Sequence, residues 1–115
     1  MAEPRKPIRE REMQGVVNRR VRGTILRFVS EQGRRGTARY DALMVMELLR
    51  RMQFDVVLTD VIEELKFLER RGYVEFETRQ DDVVRRPPEI GSIALTDKGR
   101  DLIDGTVSDP SIELD

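Results

Sequence analysis

Leu65-Lys66-Phe67-Leu68-Glu69-Arg70-Arg71-Gly72-Tyr73-Val74 ends one kind of structure and begins another. Upstream, Leu58, Val61, Ile62, Leu65 and Leu68 recur at the three- and four-residue spacing of a packed helix face. Downstream, Tyr73-Val74-Glu75-Phe76-Glu77 alternates apolar and polar, the period of a half-buried strand. Gly72 stands between them, where a helix end accepts a left-handed residue at no steric cost. The spacing therefore predicts a helix ending at Arg71 that turns directly into a strand.

Two further helices are predicted before this point. Asp41 can cap a helix reaching about Met52, with Leu43, Met46, Leu49 and Met52 facing inward. Earlier still, Val17, Val21, Ile25, Phe28 and Val29 share one face of a helix running from near Ile8 to Gln32, which Gly15 weakens. Gly33 is expected to cap it, within Gly33-Arg34-Arg35-Gly36. Thr37 to Tyr40 is a short extended entry to the second helix, and Met1 to about Pro7 is expected to be disordered.

After the first strand, the polar stretch from Thr78 to Glu89 holds Arg79, Asp81, Asp82, Arg85, Arg86 and Pro87-Pro88. Ser92-Ile93-Ala94-Leu95 reads as the returning strand. Thr96 can cap a last short helix, with Asp97 in its first turn and Gly105 at its end. The order is thus three helices, a two-stranded hairpin with a charged loop, and a short helix.

Two local phrases give that order a family likeness. Leu65 to Val74 resembles the LxxLexxGlv phrase that closes the third helix of many winged-helix regulators. Ile93-Ala94-Leu95-Thr96-Asp97-Lys98-Gly99-Arg100 resembles the phrase that ends the wing in ArsR- and MarR-type proteins. Over roughly Val21 to Ile112 the chain is most similar to small winged-helix proteins of Mu-like prophages, a family that implies a fold and no assigned activity. The fold class implied is α+β, mostly α: a winged helix-turn-helix with three helices, a two-stranded wing, a short C-terminal helix and an extended N-terminal helix. It divides the chain into a basic extension (residues 1–20), the domain (21–105) and an acidic tail (106–115) that is expected to be ordered only if something docks it.

Composition narrows the function. The chain has 115 residues, 38% apolar and 37% charged, with no cysteine and no histidine. Disulfides, thiolate or histidine metal sites and histidine acid–base catalysis are therefore excluded. The pairs Asp81-Asp82 and Glu63-Glu64 lie on charged segments with no base, cradle or phosphate loop beside them, so no catalytic residue, metal or cofactor is expected. No apolar run approaches the roughly 20 residues needed to span a bilayer, and the first residues lack a signal-peptide core. A cytoplasmic protein with no membrane partner is expected.

The net charge of −1 conceals an uneven distribution: +7 over residues 1–40, −3 over 41–75 and −5 over 76–115. A basic front suits a nucleic-acid-binding arm; equally, basic and acidic flanks can attract each other, within one chain or between subunits.

In a helix-turn-helix module the third helix enters the major groove, so double-stranded DNA is the expected partner, with transcription regulation in a phage or prophage as the expected role. The recognition helix would then offer Thr59, Asp60, Glu63 and Lys66, and the wing Arg79, Arg85 and Arg86. The first helix and its loop would offer Arg19, Arg20, Arg22, Arg34 and Arg35. The leading half of the third helix carries Asp60, Glu63 and Glu64 and no base, which phosphates would repel. These acids suit a helix start in any case, and Arg85 and Arg86 can pair with Asp81 and Asp82 across the loop. The alternative is a winged helix that binds protein through its acidic third helix. By analogy, the terminal helices would form a homodimer. Phe67 is expected either to pack under the wing against Tyr73 or Phe76, or to mark a partner surface.

Overall fold

In the computed structural model of the chain, residues 8–35, 40–79 and 88–114 are described, with the side chains of 13–31 within the first helix. They form a small, mostly helical α+β unit. Its elements are α1 (Ile8–Arg35), α2 (Ala42–Arg51), α3 (Leu58–Arg70), β1 (Val74–Arg79), β2 (Glu89–Leu95) and α4 (Asp97–Ile103). No helix among the described residues is long and apolar enough to cross a membrane.

α1 is the central helix and touches α2, α3, β2 and α4. Val21, Ile25 and Val29 are buried as their spacing requires, and Leu26 is buried beside them because α1 has neighbours on more than one side. Val17, placed on the inner face from sequence, is 41% exposed. The helix does not stop at Gly33 but continues to Arg35. Both α1 corrections arise from context: the apolar stripe outlasts the body that covers it, and one helical glycine costs only about 1 kcal/mol.

α2 begins where its capping residue predicts, with the Asp41 carboxylate accepting from the Met44 N–H at 2.8 Å. Its inner face is rotated from the expected one. Ala42, Val45 and Leu49 are buried, Met46 is half-buried, and Leu43 and Met52 are 55% and 53% exposed. The preceding residue pair explains the rotation. Tyr40 forms an antiparallel bridge with Ile93 of β2, its carbonyl accepting from the Ile93 N–H at 3.1 Å. That bridge pins the entry to α2 against the sheet, and the small Ala42 enters the core in place of Leu43.

α2 and α3 are joined through Gln53, which takes the left-handed conformation at φ 72° in the absence of a glycine. α3 presents Val61, Ile62, Leu65 and Leu68 to the core, with Leu58 half-buried at its start. Gly72 ends it at φ 82°, and the Tyr73 N–H donates back to the Leu68 carbonyl at 2.9 Å.

β1 and β2 pair antiparallel, from Val74 opposite Leu95 to Arg79 opposite Glu89. A bulge interrupts the register between Glu75 and Glu77, and Ser92 on the opposing strand sits at φ 52°. The second strand starts at Glu89, three residues before its apolar alternation.

Thr96 locks the exit from the hairpin. Its hydroxyl accepts from the Gly99 N–H at 3.0 Å and donates to the Gly72 carbonyl, joining the start of α4 to the end of α3. Thr96→Ala removes both bonds, and an unfolding free energy lower by about 1–2 kcal/mol is expected in urea titration. An unchanged midpoint would mean that the hydroxyl bonds add nothing over solvent.

Residues 106–114 fold back along α1 and pack there. Ile112 is buried and Leu114 half-buried, so the packed unit extends past Gly105 to Leu114. The tail needs no second molecule to dock it: α1 of the same chain does so.

Candidate functional site

The arginines of α1 are the natural place to start, because the sequence offers them as the phosphate grip. Arg22 is engaged inside the chain. Its Nε donates to the Glu64 carboxylate, an Nη donates to the Ser111 carbonyl at 3.0 Å, and its guanidinium lies 3.8 Å from the centroid of the Phe67 ring. Both side chains of the ion pair are about 15% exposed. Arg71 covers the same ring at 4.9 Å. Phe67 is therefore not a bare apolar patch: it packs half-buried against the core, and two guanidinium groups cover its ring.

Two further α1 arginines meet the tail through their side chains and a third through its backbone. Arg20 lies 3.6 Å from the Glu113 carboxylate, and Arg27 donates to the Leu114 carbonyl. The Arg19 carbonyl accepts from the Glu113 N–H at 3.0 Å. Arg34 and Arg35 belong to α1, but their side chains lie outside the described residues, and Arg85 and Arg86 lie outside them altogether.

Asp109 anchors the tail at its other end. It is buried, accepts from the Tyr73 hydroxyl at 2.7 Å and from the Ser111 N–H at 2.9 Å, and lies 3.3 Å from Arg71. Burial alone would raise its pKa. The Ser111 and Tyr73 hydrogen bonds and the Arg71 charge outweigh burial and hold the carboxyl below its usual range. Tyr73 is pushed up to about 12, first by burial and then by its bond to Asp109 and that carboxylate's charge, against an opposing effect of Arg71.

These shifts fix two pH limbs. A depressed acid stabilises the fold above its unfolded pKa, about 4, and that contribution is lost as pH falls through the folded value. A raised tyrosine stabilises below about 10 and loses its contribution as pH rises toward 12. In Asp109→Asn, urea unfolding measured across pH should lose much of the acid limb. An unaltered acid limb would place it on other carboxylates.

The four recognition-helix candidates, Thr59, Asp60, Glu63 and Lys66, are all exposed on α3, as is Arg70. Asp60 caps its own helix, accepting from the Val57 N–H at 3.0 Å. Glu64 is held by Arg22.

Beside the start of α3 the hairpin leaves a cleft of about 750 Å³. Asp41, Ala42 and Leu43 line it from the α2 end, Leu58 from the start of α3, and both strands supply the remainder. Among the described residues its charged lining consists of Asp41, Glu77 and Glu89 against Arg79. Arg79 stands directly opposite Glu89 in the strand pair, a position where opposite charges compensate each other. Leu43 is largely exposed on this lining, and Met44 and Val57, next to lining residues in the chain, are exposed as well. An acid rim around apolar side chains can seat an apolar segment carrying positive charge.

The sequence reading missed this cleft. Its signal is present in Leu43-Met44, close after the Asp41 cap, but the helical spacing places Leu43 inward. Compared with known protein families and with curated proteins, the chain matches none.

Proposed function

We propose that this domain is a winged helix whose exposed face, between the hairpin and the starts of α2 and α3, docks a protein partner. The element order supports the winged-helix assignment: α1, a bridge at Tyr40 beside β2, α2, α3, the β1–β2 hairpin and α4. The observation that carries the protein reading is the cleft itself, with, among the described residues, three carboxylates, one arginine opposite Glu89 and an exposed leucine where duplex DNA would lie against such a face. Phosphates supply most non-specific DNA affinity and need uncompensated cations. Among the described side chains of the α1 candidates, Arg20 lies against the Glu113 carboxylate and Arg22 is held by Glu64. A partner segment combining apolar side chains with lysine or arginine fits the cleft by charge and by polarity.

DNA binding is the second reading, and one observation favours it. Two of the three acids on the leading half of α3 are occupied within the chain, Asp60 as a cap and Glu64 in an ion pair. Lys66, Arg70 and Arg79, with Arg85 and Arg86 from the loop, would then make the contacts.

A fluorescent peptide alternating leucine and lysine serves as the probe. Anisotropy should report binding to the full chain, weakened about tenfold or more in Glu77→Lys/Glu89→Lys, a loss of about 1.4 kcal/mol. Equal binding by wild type and variant would remove the cleft as the docking face.

A further inference from the structure

We propose that the occupant of the cleft is the N-terminal segment of a second copy of this chain, with Pro4-Arg5-Lys6-Pro7 seated between Glu77, Glu89 and Leu43. The inference rests on the reading of the cleft as a protein-docking face and names its partner.

Charge complementarity is the first argument. Among the described residues the cleft carries Asp41, Glu77 and Glu89 against Arg79, while Pro4-Arg5-Lys6-Pro7 carries two positive charges and no acid. Arg5 and Lys6 are adjacent and flanked by prolines. A proline has its φ already fixed near −65°, so such a segment loses less freedom on docking than an ordinary chain does. Two proline rings supply apolar surface for Leu43 without burying a charged head.

The placement of the segment is the second argument. Among the described residues, the first hydrogen bond from α1 to another element is at Arg19. From Ile8 to Asn18 the helix rises about 16 Å. Residues 1–7 join the chain at the far end of this stretch, which forms no hydrogen bond to another element among the described residues.

The same stretch supplies the third argument. Met13 and Val17 continue the four-residue ladder of Val21, Ile25 and Val29, yet are 62% and 41% exposed where the lower members are buried. A second copy that receives the arm lies alongside this stripe and covers it. In a twofold dimer the exchange is reciprocal, so each arm contributes and the buried surface doubles.

Sedimentation velocity on the full chain tests this at low and high salt, with three variants: Arg5→Glu/Lys6→Glu, Glu77→Lys/Glu89→Lys, and the four changes combined. The substituted residues of the cleft are exposed, and circular dichroism checks that each variant keeps its helices. The wild type should associate into dimers that weaken as salt rises. Each charge reversal should weaken the dimer about tenfold or more, and the combination should restore it. A wild type that stays monomeric at the highest concentration reached would overturn the inference, as would a combination that fails to restore the dimer. Failure is separable from failure of the docking reading. If the leucine–lysine peptide still binds and depends on Glu77 and Glu89 while Arg5→Glu/Lys6→Glu changes nothing, the cleft docks protein but not this segment.

Discussion

Gly23→Ala is expected to destabilise the chain by about 3 kcal/mol and to lower its melting temperature by roughly 10 °C. A Cβ at this position would stand 1.7 Å from the Glu113 carbonyl oxygen, 2.6 Å from its carbon and 3.2 Å from the Leu114 Cα. All three are backbone atoms, so no side chain can rotate out of the way. The tail must lift, which breaks the Glu113 N–H bond to Arg19 and exposes Ile112. Burying a side chain of that size contributes about 1.5–3 kcal/mol. Helix propensity acts in the opposite direction, favouring alanine by about 1 kcal/mol. The sign is therefore diagnostic in a thermal melt. A more stable variant would mean that propensity alone operates and that the tail does not rest on α1 at Gly23.

Arg22→Ala is the second large effect, with about 2–3 kcal/mol of stability lost in urea unfolding. The substitution leaves the largely buried Glu64 carboxylate without its partner, and removing one member of a buried pair costs more than the pair contributes. It also uncovers one face of Phe67 and frees the Ser111 carbonyl. Changing Glu64 to glutamine in the same molecule should recover part of the loss, since the orphaned charge is then gone. A double-mutant cycle should show coupling of about 1 kcal/mol or more. Strict additivity would show that Arg22 acts through Phe67 and the tail and not through Glu64.

Much of the fold was legible in the sequence because it is written locally. Asp41 and Thr96 start their helices, Gly72 ends α3, and the alternation from Tyr73 sets β1. What escaped depends on distant partners. Gly23 reads as a weak point in a helix until the tail backbone is found lying across it. Arg22 and Glu64 are 42 residues apart, and no spacing rule connects them. The rotation of α2 was lost because its inward and outward stripes are both apolar. Only the Tyr40 bridge to Ile93 chooses between them.

The same distinction governs the candidate site. The acids on α3 were visible in sequence, but not that Asp60 and Glu64 are already occupied. The basic first helix was visible as well, and its meaning changed once the tail was placed over it. Arg20, Arg22 and Arg27 serve the packing of the chain's own C-terminal segment. The cleft is a product of tertiary structure, since Asp41, Leu58, Glu77 and Glu89 come from four separate stretches.

The central claim is that the face between hairpin and helices docks protein and not DNA. The most direct measurement is anisotropy of a labelled random duplex titrated with the full chain as salt is raised from a low value. The account predicts no retention of duplex even at low salt, where phosphate contacts are strongest. Retention that falls steeply with salt, with a shallower slope after Arg79, Arg85 and Arg86 are changed to alanine, would contradict it.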